Sequence, residues 1–118
     1  MNTFEGNKIP KGIEIYEVTE PVSFGALQRY NTTMRLIGEN PKGRIIILRN
    51  VPHIDSFEFF LFKVFCERCY RDRIKLVLVA THPQPLSLMK KEGLYDLIGP
   101  QNIVDTVPQA LKCLQKIG

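Results

Sequence analysis

Hydrophobic positions change their spacing several times along the chain, and each spacing predicts a secondary-structure element. Residues 12–18 alternate between apolar and polar side chains and are rich in β-forming types, which predicts a strand. Continuous aliphatic runs within residues 44–51 and 74–80 are typical of strands buried on both faces. A short strand is predicted at residues 103–104, and a turn with another short strand at residues 21–24.

Between these strands, apolar residues recur every three or four positions, which predicts helices with one apolar face. The predicted helices cover residues 25–37, 55–72, 86–97 and 108–117, with Gly93 interrupting or capping the third. Strands that alternate with helices predict an α/β domain with a mainly parallel sheet. Before the first strand, residues 1–11 are polar and are predicted to be a flexible tail or linker.

Composition narrows the class of protein further. The chain has 118 residues, of which 44% are hydrophobic and 24% charged, as expected for one domain with one core. Its formal net charge of +4 comes from Lys and Arg residues that are scattered, which argues against a nucleic-acid partner. No apolar run approaches the ~20 residues that cross a bilayer, and no signal segment is visible at the start, so the chain is predicted to be soluble and not secreted.

The sequence contains few candidates for catalysis or metal binding. It lacks the phosphate-binding loop, the dinucleotide fingerprint and the nucleophile elbow. His53 and His82 follow buried strands, and exposed loop histidines are the favoured interpretation. Cys66 and Cys69 form a C-x-x-C motif inside a helix rather than at its start, and Cys113 stands alone, so buried, reduced thiols are favoured. We therefore predict no catalytic residue, no metal site and no cofactor.

The loop before residues 55–72 is the most informative segment. Asp55 is a good N-cap residue, and Glu58 three positions later completes a capping-box pattern. Alternatively, Ser56 lies exposed at the helix start as a point of modification or contact. The residues alone favour the capping interpretation.

At this point the sequence resembles a known family. The segment V-P-H-I-D-S, followed by a helix, resembles the hallmark loop of STAS domains, which occur in anti-sigma-factor antagonists and in SulP transporter tails. The opening I-E-I-Y-E-V-T-E-P-V-S-F-G-A is similar to the SulP type. Residues 42–52 resemble the central strand, and residues 82–111 resemble the closing part, with a Q-P turn, G-L, L-I-G and N-I in order.

The resemblance implies a fold and a function. The fold is the anti-sigma-factor-antagonist-like STAS fold over residues 12–118: a mixed, mostly parallel sheet of four or five strands, with about four helices mainly on one face. The function is that of a non-catalytic regulatory or interaction domain of a SulP-type inorganic anion (sulfate-like) transporter, at the cytoplasmic face of the inner or plasma membrane. The alternative is a free-standing anti-sigma-factor antagonist or a related signalling module.

The resemblance also implies partners. These are the membrane domain of a parent transporter and a second copy in a weak homodimer, or another protein. A nucleotide or other small ligand is possible, although no residue marks a pocket for it. In antagonist-type members, a phosphorylated hydroxyl lies two positions after the Asp that matches Asp55 and a small residue follows; here these are Phe57 and Glu58. The family's phosphorylation site is therefore not assigned to this chain.

The helix predicted at residues 55–72 carries two apolar stripes. The first, which the resemblance assigns to the sheet, holds Phe59, Phe62, Cys66, Cys69 and Tyr70. The second holds Phe57, Phe60, Leu61, Val64 and Phe65. Either a neighbouring helix covers the second stripe, or a partner binds there through Phe57, Phe60, Leu61 and Val64.

Overall fold

The computed structural model describes residues 3–19, 23–36 and 40–115. Within these ranges, a small hairpin precedes four strands that alternate with helices. The strands are β1 (Thr3–Phe4), β2 (Asn7–Lys8), β3 (Ile13–Glu17), β4 (Gly43–Ile47), β5 (Lys75–Val79) and β6 (Ile103–Val104). The helices are α1 (Ser23–Leu36), α2 (Ser56–Arg71), α3 (Pro83–Lys91), α4 (Leu94–Ile98) and α5 (Val107–Leu114), with a short 3-10 helix at Pro100–Asn102.

The central sheet has the order β3-β4-β5-β6, and every pairing in it is parallel. Each strand therefore lies beside the next strand in the chain, and helices make the connections. The register aligns Ile15 with Ile45, and Ile45 with Val77, across three strands. This arrangement confirms the predicted α/β fold and its strand number, with a sheet that is wholly parallel in the described residues.

Side chains of β4 and β5 alternate between two hydrophobic clusters, one on each face of the sheet. On the first face, Ile46 and Leu78 pack with buried residues of α1, α2, α3 and α4. On the second face, Ile45 and Val77 pack with α5. Helices on both sides explain why these strands are continuous aliphatic runs. The expectation that helices lie mainly on one face is confirmed.

Two local predictions need correction. Ser23 and Phe24 belong to α1 rather than to a short strand; residues 21 and 22, predicted with them, lie outside the described residues. The helix predicted at residues 86–97 is two helices, because Gly93 adopts a φ of +80° between α3 and α4. Only glycine enters this region without strain, so Gly93 ends one helix and begins the next. The predicted helix ends at residues 37 and 117 lie outside the described residues.

The structure places the β1–β2 hairpin within the segment predicted to be a flexible tail or linker. Its Phe4, together with Ile9, packs against the second-face cluster, and Glu5 in its turn forms an ion pair with Arg49. The hairpin was not predicted from the sequence, because each of its strands has two residues, too few to show alternation. The flexibility of residues 1–11 remains a prediction.

Candidate functional site

The loop that resembles the STAS hallmark connects β4 to α2, and its acidic residues cap the helix. The Asp55 carboxylate accepts a hydrogen bond from the Glu58 backbone N–H at 2.8 Å, and the Glu58 carboxylate accepts one from the Asp55 N–H at 2.8 Å. Both bonds satisfy donors that have no partner inside the helix. The capping interpretation is therefore confirmed. Ser56, the first residue of α2, is exposed.

Two residues near the start of α3 hold the same loop in place. The Gln84 side chain accepts a hydrogen bond from the Ile54 N–H at 2.8 Å and donates one to the Ile54 carbonyl at 2.9 Å. His82 Nε2 lies 2.7 Å from the Arg49 carbonyl oxygen; since a carbonyl only accepts, Nε2 donates. His82 is half-buried, so its interpretation as an exposed loop histidine is wrong, whereas His53 is exposed as predicted.

Next to the cap, α2 presents aromatic side chains to solvent. Phe57 is 69% exposed and Phe60 is 60% exposed, while Leu61 and Val64 are half-buried. Helix α1 packs along α2, and its Phe24 meets Phe62 of the first stripe edge to face. Phe65, placed in the second stripe, is fully buried, and Tyr70, placed in the sheet-facing stripe, is 65% exposed. The assignment of Tyr70 to the sheet-facing stripe is therefore wrong, and Phe65 belongs to the first-face cluster with the residues of the first stripe.

The C-x-x-C thiols lie on the buried face of α2, as the sequence analysis favoured. Cys66 and Cys69 are both free and fully buried. Burial raises the pKa of the Cys66 thiol well above its usual value. Burial also raises the pKa of the Cys69 thiol, against an opposing effect of the nearby Arg44 guanidinium. Because the thiolate is the nucleophile, these groups are unsuited to redox chemistry near neutral pH.

A buried charged cluster, which was not predicted from the sequence, links four elements on the first face of the sheet: β3, β4, α1 and α2. The side chain of Arg44, in β4, is fully buried and its Nε lies 2.9 Å from a carboxylate oxygen of Glu14 in β3. The Tyr30 hydroxyl of α1 donates to the other Glu14 oxygen at 2.8 Å. Arg44 Nη1 donates to Cys69 Sγ at 3.2 Å. In the sequence, this cluster corresponds to one Arg at the start of an aliphatic run. A strand whose end is exposed would show the same pattern, so the pattern does not predict the cluster.

Comparison with known families identifies the class of domain that this fold and this loop define. The STAS domain family model matches residues 7–110, so the chain belongs to the STAS domain family. The match includes the parallel sheet, the capped loop and α2.

Relatives of this chain carry transporter names. It is 26% identical over 94 residues to "Putative sulfate transporter YvdB" of Bacillus subtilis (strain 168), a match that spans 79% of this chain and 18% of that protein. Among solved structures, it is similar to a sulfate transporter family protein from Wolinella succinogenes, with 27% identity and a TM-score of 0.78 over 96% of this chain and 93% of that one. The fold is also that of the SulP transporter STAS domain from Vibrio cholerae, with a TM-score of 0.82, 23% identity and coverage of 96% and 89%. The two relatives above 25% identity are thus named as sulfate transporter proteins, and the chain shares its fold with a SulP transporter STAS domain.

The described part of the chain offers neither a metal centre nor a membrane span. In residues 3–19, 23–36 and 40–115, no three His, Cys, Asp or Glu side chains come together as metal ligands would. No helix in those ranges combines the length and the apolar character that a bilayer crossing requires.

Proposed function

We propose that this chain is a non-catalytic regulatory or interaction domain of a SulP-type transporter of inorganic, sulfate-like anions, on the cytoplasmic face of the inner or plasma membrane. The observation that carries the proposal is the similarity to the sulfate transporter family protein, which extends over almost the whole of both chains. Since the chain spans about a fifth (18%) of YvdB, the remaining length of such a protein would hold the membrane domain, which is the first partner.

The alternative, a free-standing anti-sigma-factor antagonist, fits the residues less well. In the family's antagonists, the switch is a hydroxyl that accepts phosphate. Phe57 has no hydroxyl at that position, and the Glu58 carboxylate beside it is engaged in the cap. A phosphate on the neighbouring Ser56 would lie close to two carboxylates, which disfavours its addition.

Uptake of labelled sulfate by cells tests the transporter role. The full-length gene would be expressed in a strain without its own sulfate carriers, beside a version that lacks this domain and a version with Phe57→Ala and Phe60→Ala. We expect the deletion to reduce uptake per transporter molecule at least about tenfold, measured against the amount in the membrane. The double variant should reduce it less, because it alters one surface and leaves the fold intact. Equal uptake by all three versions would contradict the proposal, as would a gene with no membrane spans.

We further propose that the exposed aromatic face of α2 is a protein-contact surface. Phe57 and Phe60 lie one turn apart, and the half-buried Val64 and Leu61 flank them. Burying an aromatic side chain of this size contributes about 1.5–3 kcal/mol. Burying both rings in an interface would therefore contribute several kcal/mol that the monomer does not gain. Arg68 and Arg71 lie one and two turns beyond Val64 along α2 and would form the polar rim of an interface.

Weak self-association of the isolated chain is the expected consequence. Sedimentation equilibrium should show dimers at concentrations near a millimolar. Phe57→Ser with Phe60→Ser should abolish the dimer while the thermal unfolding curve stays almost unchanged. The control is Tyr70→Ser, which removes a similarly exposed ring from the other end of α2. A wild-type chain that stays monomeric at a millimolar, or a dimer that persists in the double variant, would contradict this surface.

A further inference from the structure

A cleft opens at the end of α2 that lies farthest from the capped loop. Its volume is about 600 Å³, within the usual range of small-molecule sites. Its walls come from the end of α2, the start of β5, α4 and the 3-10 helix. A smaller groove, lined by Glu67, Tyr70, Arg71 and Leu97, continues from the cleft along α2.

The cleft combines an apolar floor with a cationic edge. Buried or half-buried aliphatic side chains, among them Ile74, Leu97 and Ile98, line the floor. The exposed Arg71 and Arg73 line the edge, and neither guanidinium forms an ion pair with a residue that the structure describes. Lys75 also lines the cleft, but its ammonium group donates to the Cys113 carbonyl at 3.2 Å. Two free guanidinium groups beside apolar surface suit an anion that has an apolar body.

Arg73 occupies a backbone position that normally holds glycine. Its φ is +60°, in the left-handed region. The Arg73 N–H donates to the Tyr70 carbonyl at 3.1 Å and the Ile74 N–H to the Cys69 carbonyl at 2.8 Å, which together form the motif that ends many helices. Any residue with a Cβ is strained there, and glycine is the default. The fold of this turn therefore gains nothing from the Arg73 side chain.

Arg71 has an ordinary structural explanation, because a cation in the last turn of a helix is stabilised by the helix dipole. Arg73 lies beyond the helix and lacks that explanation. Strain that the fold does not require is most often kept for a functional reason. Asn102, on the opposite wall, uses one amide hydrogen to bond the Ile98 carbonyl at 2.9 Å and carries a second hydrogen.

We propose that this cleft binds a soluble organic anion, with its phosphate or carboxylate between Arg71 and Arg73 and its apolar body against Leu97 and Ile98. The proposal does not depend on the transporter role, since it rests on the side chains of the cleft alone. The proposal also states a chemical class for the small ligand that the family resemblance allowed, for which the sequence marks no pocket.

Two-dimensional amide NMR of the 118-residue chain tests the proposal, with 1-naphthyl phosphate as the probe. We expect saturable changes in amide chemical shift that are confined to residues 66–76 and 97–102. The Kd should be about 0.1–1 mM, because a small ligand that was not optimised for the cleft binds weakly. 2-Naphthol, which has the apolar body without the charge, and inorganic phosphate, which has the charge without the body, should each bind at least tenfold more weakly. Equal binding of 2-naphthol would overturn the proposal. So would shifts that appear only with phosphatidylglycerol vesicles, since a membrane surface would then be the ligand.

Two variants separate binding from folding. Arg73→Gly should weaken binding of 1-naphthyl phosphate about threefold to tenfold, yet raise the thermal midpoint by a few degrees, because glycine removes the backbone strain. Arg71→Gln with Arg73→Gln should weaken binding more than tenfold. The matched control is Lys91→Gln with Lys112→Gln, which removes the same charge from exposed positions elsewhere and should leave Kd unchanged. If the control and the double arginine variant lose affinity equally, the anion is attracted by net charge alone and the proposed site is wrong.

Discussion

Glu14→Ala is expected to lower the free energy of unfolding by about 3 kcal/mol, because it leaves the fully buried Arg44 guanidinium without its carboxylate. Three other side chains that contact Arg44 carry no negative charge. Cys69 Sγ is a weak acceptor, and the rings of Tyr30 and Phe65, at 5.9 and 5.6 Å, offer only their π faces. Urea unfolding followed by circular dichroism measures the change. For a domain with a total stability of about 5–15 kcal/mol, this is a large share.

Two further variants show whether an unpaired buried charge causes the loss of stability in Glu14→Ala. Tyr30→Phe removes the hydroxyl that donates to Glu14 but keeps both charges, so it should cost only about 1 kcal/mol. Glu14→Ala combined with Arg44→Met removes both charges and should recover much of the stability that Glu14→Ala loses. A single Glu14→Ala that costs less than about 1 kcal/mol, or a combined variant less stable than that single one, would contradict this account.

Phe62→Ala is expected to lower the free energy of unfolding by about 3–5 kcal/mol, the range for deleting a buried aromatic side chain. Phe62 is fully buried in α2 and meets Phe24 of α1 edge to face, with ring centroids 5.4 Å apart. The cavity would lie between both helices and the sheet, where little can move to fill it. Thermal unfolding should show a midpoint lower by about 10–20 °C.

Phe60→Ala is the matched control, because it makes the same change in the same helix two residues away. Phe60 is 60% exposed, so its loss should change stability by no more than about 0.5 kcal/mol. The gain in helix propensity is the same in both variants and cancels in the comparison. Equal losses for Phe60→Ala and Phe62→Ala would mean that the two faces of α2 are not those described.

Hydrophobic spacing predicted the main elements well because long elements repeat their pattern several times. Strands β4 and β5 were recognised from aliphatic runs, and α2 from apolar residues over more than four turns. The hairpin and the start of α1 were missed, since two-residue strands show no period and Ser23 and Phe24 suit either element. An interruption or cap at Gly93 was predicted, because glycine leaves a signature in the sequence, although the segments on its two sides were assigned to one helix.

In the candidate site, the sequence predicted only those hydrogen bonds that residues close together in the chain make with each other. The spacing of Asp55 and Glu58 alone predicts a capping box. Which face of α2 is buried depends on where α1 packs, and that contact joins residues far apart in the chain. For this reason the pattern of α2 alone did not show that Phe65 is buried with the first stripe and that Tyr70 is exposed. Likewise, the cleft beside Arg73 is assembled from α2, β5 and α4, so no single segment indicates it.

The order of strands in the sheet has a consequence for synthesis on the ribosome. Since each strand pairs with the one made before it, the sheet can grow at one edge as the chain emerges. The first face is covered along the way by the connecting helices. The second face, with Ile45, Ile47, Val77 and Val79, lacks α5 until residues 107–114 are complete. A nascent chain paused before that point exposes a flat aliphatic surface, so this is the stage at which a chaperone would be needed most.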